Sequence, residues 1–201
     1  MKNWLLMLGL LATGAAQADE LIDPIQNQWA VCQYQSKTKE SCLQKLSSEA
    51  DQASAANPGR TDLLIWAAIV KSSWAGAKGG LGALSLVKTA NRQLEQAIRQ
   101  NPSALDGSAY TSLGSLYYQV PGWPVGFGDK AKAEQLLKQA LAINPNGIDP
   151  NFFYGDYLLE QGRKAEARQA LDKALAAPLR PGRELADQGR RKEIEERLAK
   201  L

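Results

Sequence analysis

The chain of 201 residues is 44% hydrophobic and 22% charged, enough apolar content for one sizeable core or a short repeat array and too much for a disordered segment. Its net charge of +3 is spread along the chain with no basic stripe, which gives a nucleic-acid partner no electrostatic support. Without a single histidine, Ser-His-Asp and Cys-His catalysis are excluded and a zinc site is hard to assemble.

In chain order, Lys2 precedes an apolar run from Trp4 to Ala12, and Ala16-Gln17-Ala18 before Asp19 has the small-x-small form of a signal-peptidase site. Residues 1–18 are therefore expected to be a signal peptide cleaved after Ala18, and the mature protein to be periplasmic. No later window approaches the roughly 18 apolar residues of a membrane span. Cys32 and Cys42, the only cysteines, flank Ser36-Lys37-Thr38, which has the character of a hairpin turn. In an exported chain such a pair favours a disulfide over two unpaired core cysteines.

Farther on, the chain repeats itself. Ala90, Leu94, Ala97 and Pro102 recur 43 residues later as Ala133, Leu137, Ala140 and Pro145. They recur again as Ala167, Leu171, Ala174 and, one residue early, Pro178. Three prolines follow Asn, in Asn57-Pro58, Asn101-Pro102 and Asn144-Pro145, which suits helices that stop before a proline that cannot continue them. Small Ala and Gly residues at fixed spacing let helices approach, Leu fills the gaps, and a hairpin that cannot bury its apolar face alone must stack on neighbours.

This pattern resembles the tetratricopeptide repeat, a helix-turn-helix unit of about 34 residues. The match runs most clearly from Ile148 to Pro181, with Gly155, Leu158, Gly162, Ala167, Leu171 and Ala174 in the pattern's places. The preceding unit carries Tyr110, Leu113, Gly114 and Tyr117, then resumes at Gly128. The resemblance implies an all-α fold, a right-handed solenoid of stacked helix-turn-helix units in a single domain over 19–201. Its parts are a degenerate repeat at 27–60, repeats with extended turns at 64–106 and 107–147, a regular repeat at 148–181 and a C-terminal capping helix at 183–201. In the last, Arg190, Arg191, Lys192, Glu195 and Glu196 are expected to form a solvated face.

Two repeats hold surplus residues, Ala75 to Leu84 and Tyr118 to Phe127, expected to project together as a lip. Trp123 and Phe127 would present apolar area there, or fold back over the hairpins. The family's groove positions, carried over, are Ile65, Ala68, Ser72 and Ala75, then Ser108, Thr111, Ser115 and Tyr118, then Asp149, Phe152, Asp156 and Leu159. None is basic, which disfavours capture of a peptide's C-terminal carboxylate. The candidate binding residues of groove and lip are Ser72, Trp74, Lys78, Thr111, Ser115, Tyr118, Trp123, Phe127, Phe152 and Asp156.

Little supports catalysis. A Ser-Lys dyad from Ser72, Ser73 and Lys78 is demanded by no spacing, and Gly79-Gly80-Leu81-Gly82 lacks the phosphate-loop pattern. Asp149 and Asp156 share a helical face but suit groove polarity or a cap as well as acid-base work. No cofactor or metal is implied. The expected function is a non-enzymatic periplasmic scaffold that binds a protein or peptide. The alternative is a resemblance to the T component of tripartite ATP-independent periplasmic transporters, which implies a small ligand and a substrate-binding protein as partners.

Overall fold

The computed structural model describes residues 13–201, with side chains from residue 20 onward, and the described residues are helical without strands. Four hairpins follow one another: α1 (Thr13–Tyr34) with α2 (Lys39–Ala56), α3 (Thr61–Lys78) with α4 (Gly80–Gln100), α5 (Ser108–Gln119) with α6 (Lys130–Ile143), and α7 (Ile148–Glu160) with α8 (Lys164–Leu175). A ninth helix, α9 (Glu184–Leu198), completes the described stack. The three Asn-Pro pairs act as expected, since Asn57, Asn101 and Asn144 are the C-caps of α2, α4 and α6. The expected export signal falls on residues 1–12, outside the described residues, and on the start of α1. Among the described residues no helix is long and apolar enough to cross a membrane.

The repeat register is written in two glycines. A Cβ on Gly114 would lie 2.8 Å from Leu137 Cγ, and one on Gly155 would lie 2.7 Å from Leu171 Cγ. Each glycine thus lets a buried leucine of the second helix close onto the first, the same contact in successive hairpins. In the earlier hairpin Lys71 holds the glycine's place. It is only 5% exposed, and its Nζ reaches the Asp51 carboxylate on α2 at 2.5 Å.

The surplus residues of the two extended repeats have different physical origins. Between α5 and α6 the surplus is a loop over 120–129, because Pro121 and Pro124 cannot continue a helix. Ala75 to Leu84, expected as a second projecting turn, is instead almost entirely helix. The helices α3 and α4 are 18 and 21 residues long, against 13 and 12 for α7 and α8, and Gly79 alone separates them. The correction has a simple cause: Gly79 and Gly80 adopt positive φ, +66° and +59°, so the chain reverses in two residues and the flanking Ala, Lys and Leu are free to remain helical.

The core falls into successive clusters, as neighbour-on-neighbour stacking requires. One joins α1, α2 and α3 through Ile22, Trp29, Leu43 and Trp66; its inclusion of Ile22 extends the first hairpin earlier than the expected start at residue 27. The last joins α7 and α8 through Phe152 and Leu171. Helix α9 contributes to both ends, Ala186 to the first cluster and Ile194 to the last. Across the α1–α9 junction, Tyr34 Oη donates to Glu193 Oε2 at 3.3 Å, and a Cβ on Gly189 would lie 2.5 Å from the Tyr34 ring. The array therefore bends until its first and last described helices touch.

Candidate functional site

Closure turns the concave face into a cavity of about 1100 Å³. One side is apolar, with Leu84, Val87, Leu116 and Val120, and the other carries Trp29, Trp66 and Phe152 beside four arginines. At the mouth stand Leu81 and Val125, 84% and 52% exposed. The chain between α4 and α5 also reaches the wall, where Leu105 and Asp106 take the left-handed conformation at φ +49° and +53°, uncommon for residues with a Cβ.

Of the expected groove residues, Ser72, Thr111, Ser115, Phe152 and Asp156 do line this cavity, with Ala75, Ser108 and Asp149. Tyr118 lies one layer behind, buried, its hydroxyl donating to Asp156 Oδ2 at 2.8 Å. Burial, reinforced by the Asp156 charge and hydrogen bond, pushes the Tyr118 phenol well above its ordinary range. Ile65 and Ala68 are fully buried and Leu159 is not on the wall. Trp74 packs against the first core cluster instead of the groove, and Lys78 pairs with Glu40 of α2 at 3.2 Å. Ser72 Oγ donates to the Ala68 carbonyl and Ser73 Oγ accepts from Trp29 Nε1, so neither serine is joined to Lys78.

The α5–α6 loop, in which the Trp123-Pro124 peptide is cis, divides the two expected lip aromatics. Phe127 folds back edge-on against Tyr117, ring centroids 5.4 Å apart, while Trp123 is 89% exposed. The loop is tied at its base, where Gly128 N–H donates to the Pro121 carbonyl at 3.0 Å and Asp129 N–H to the Tyr117 carbonyl at 2.8 Å. A large apolar side chain thus stands in solvent on a hydrogen-bonded base.

The charge run of α9 is the main correction. Arg190 is 8% exposed, its guanidinium lies 4.3 Å from the Phe152 ring centroid, and it donates to Asp149 at 2.8 Å. Arg191 donates to the Leu175 and Ala177 carbonyls at the end of α8. Lys192, Glu195 and Glu196 are exposed as expected. The structure also overturns the expectation of a groove without basic residues, since Arg180, Arg183, Arg190 and Arg197 all reach the cavity wall from α9 and the segment before it. Sequence reasoning misses them because groove positions carried over from the repeat cover only the first helix of each hairpin.

A signal for them exists in the numbering. Asp149 and Asp156 are seven apart on α7, and Arg190 and Arg197 are seven apart on α9, so each pair occupies one face of its helix. The structure joins them in register, Arg190 to Asp149 and Arg197 to Asp156. Arg180 adds a second contact to Asp149 at 2.7 Å and another to the fully buried Asp187 at 2.5 Å. Burial alone would raise the Asp149 carboxyl, but the Arg190 and Arg180 guanidiniums overcome it and hold the group well below the usual carboxylate range. Both groove aspartates are thereby tied to arginines, as members of a structural lattice. Among the described residues no group of His, Cys, Asp and Glu could hold a metal ion.

Cys32 and Cys42 form the expected bridge between α1 and α2, with Cα atoms 5.5 Å apart.

Against known proteins, residues 125–179 match the tetratricopeptide repeat family model. Among solved structures, the crystal structure of MamA is 18% identical, with 83% of this chain and 93% of that one covered at a TM-score of 0.47. A thermophilic TPR protein of Thermus thermophilus is 19% identical, with 89% and 99% covered at 0.44. A MamA AMB-1 structure is 20% identical, with 93% and 92% covered at 0.46. No curated protein matches. From the loop before α6 to the end of α8, this chain carries tetratricopeptide repeat sequence on stacked helical hairpins.

Proposed function

We propose that the chain is a non-enzymatic scaffold, exported to the periplasm, that docks a protein or peptide partner through its concave face and the α5–α6 loop. The observation that carries this reading is Trp123. A tryptophan 89% exposed on a loop tied at its base offers a partner a large rigid contact at little entropic cost. The bridged Cys32 and Cys42 support the oxidising compartment, because such bonds persist outside the reducing cytosol.

A second reading is favoured by closure. An array whose ends touch encloses space on the scale of a small-molecule site. This suits a protein like the T component of tripartite ATP-independent periplasmic transporters, with a ligand inside and a substrate-binding protein at the rim. In-cell photocrosslinking from position 123, with adducts identified by mass spectrometry, tests the first reading. A discrete periplasmic protein adduct is the expected result. Cytoplasmic adducts, or none from a folded protein, would refute it.

A further inference from the structure

The ladder between α7 and α9 has an unmatched rung. Arg183, Arg190 and Arg197 follow one another at intervals of seven, a single stripe running into α9. Asp149 and Asp156 answer the second and third. An acid opposite Arg183 would have to stand seven residues before Asp149, ahead of the α7 start at Ile148, where residue 142 is alanine. Among the described residues Arg183 has no ion pair; its Nη1 donates to Gln26 Oε1 at 2.9 Å, its Nε finds no acceptor and its Nη2 makes no hydrogen bond.

Its neighbour on the cavity wall is also short of a hydrogen-bond partner. The guanidinium carbon lies 5.0 Å from the centroid of the Trp66 ring, and the Trp66 indole N–H is also buried without an acceptor. Both residues line one cavity, and these two N–H groups are buried within its wall. Burial and repulsion from Arg180 push the Arg183 guanidinium down, whereas Arg180, Arg190 and Arg197 are all pushed up by their carboxylate partners against burial. Asp149, Asp187 and Asp23 offset part of this from beyond ion-pair distance, but Asp149 and Asp187 are already paired with other arginines and Asp23 is exposed.

We infer that Arg183 is a ligand-binding residue, and that the cavity takes a small free acid whose carboxylate sits on Arg183 and whose apolar body lies against Leu84, Val87, Leu116 and Val120. This rests on the second reading, that the closed array holds a small molecule. Closure favours a short acid over an extended chain, because α1 and α9 meet across the groove beside Arg183.

The test is calorimetric titration of the full chain with decanoate and with decanol, which share the apolar body and differ in the head group, and repetition with Arg183→Gln. The unaltered protein should bind decanoate at least tenfold more tightly than decanol. Arg183→Gln should lose that preference, with decanol affinity unchanged and a melting temperature close to that of the parent. Equal affinity for acid and alcohol in the unaltered protein would overturn the carboxylate site while leaving a ligand-holding cavity. Binding of neither would overturn both. Displacement of decanoate by a leucine-ended hexapeptide at tenfold lower concentration would overturn the assignment to a free acid.

Discussion

Removing the charge of Asp149 should unlatch α9. Asn at this position keeps the shape and loses the charge that faces Arg180 and Arg190, one-third and nine per cent exposed respectively. Removing one partner of a buried ion pair costs about 3–5 kcal/mol. Here Asp149 is 30% exposed and each arginine retains another carboxylate, Asp187 for Arg180 and Glu193 for Arg190. The expected loss is therefore about 2–3 kcal/mol, which for a domain of this size lowers Tm by about 5–10 °C. Melting followed by circular dichroism gives the magnitude, and amide hydrogen exchange localises it, with protection falling first in α9. The pH dependence carries the sign. A carboxyl held below its ordinary value of about 3.9 contributes stability above that value, and the contribution disappears as pH falls through the depressed folded-state value. The gap between parent and Asp149→Asn should be flat from about pH 8 to 5 and close only in stronger acid. A variant that melts within about 1 °C of the parent, with α9 equally protected, would refute the latch.

Other expectations follow from single contacts. Closing a loop of ten residues, the Cys32–Cys42 bond should stabilise by about 3 kcal/mol, so reductant should lower Tm by about 6–12 °C; two alkylatable thiols in the unreduced protein would show no bond. Trp123→Ala should change stability by less than about 0.5 kcal/mol while weakening partner capture at least tenfold, and a large fall in Tm would place the ring in the core. Gly155→Ala, whose Cβ would meet Leu171 at 2.7 Å, should cost about 1–3 kcal/mol by urea denaturation, whereas Gly59→Ala, with open space around it, should be near neutral. Equal effects would refute the close approach.

Much of the helical frame can be read from residues whose physics is local. Asn-Pro pairs stop helices wherever they occur, and glycines spaced with leucines mark close packing, so pattern alone places α4 to α8. Ala75 to Leu84 misleads because a run of glycines reads as a loop, and the two-residue reversal at Gly79 and Gly80 depends on a backbone conformation that composition does not reveal. The cavity is half legible. Residues on the first helices of the repeats can be found, since position within a repeat predicts which way a side chain points. The arginines of α9 are harder to find, because a charge run looks solvated until other helices are brought against it: α7, whose aspartates meet Arg190 and Arg197 at the same interval of seven, and α1, more than a hundred residues away. Trp74 and Lys78 go astray for a related reason: α3 touches α1 and α2 as well as the groove, and those contacts claim them.

An open row of hairpins can grow or shrink by whole units, each new one needing only a neighbour. The junction of α1 with α9 withdraws that freedom. Inserting or deleting one hairpin would carry Glu193 and Gly189 away from Tyr34, and Arg183 away from Gln26, so the number of units becomes as constrained as the number of strands in a closed barrel. The same junction ties residues from opposite ends of the sequence, and an assembly that could otherwise fold from any point outward must wait for its last helix before the interior space exists.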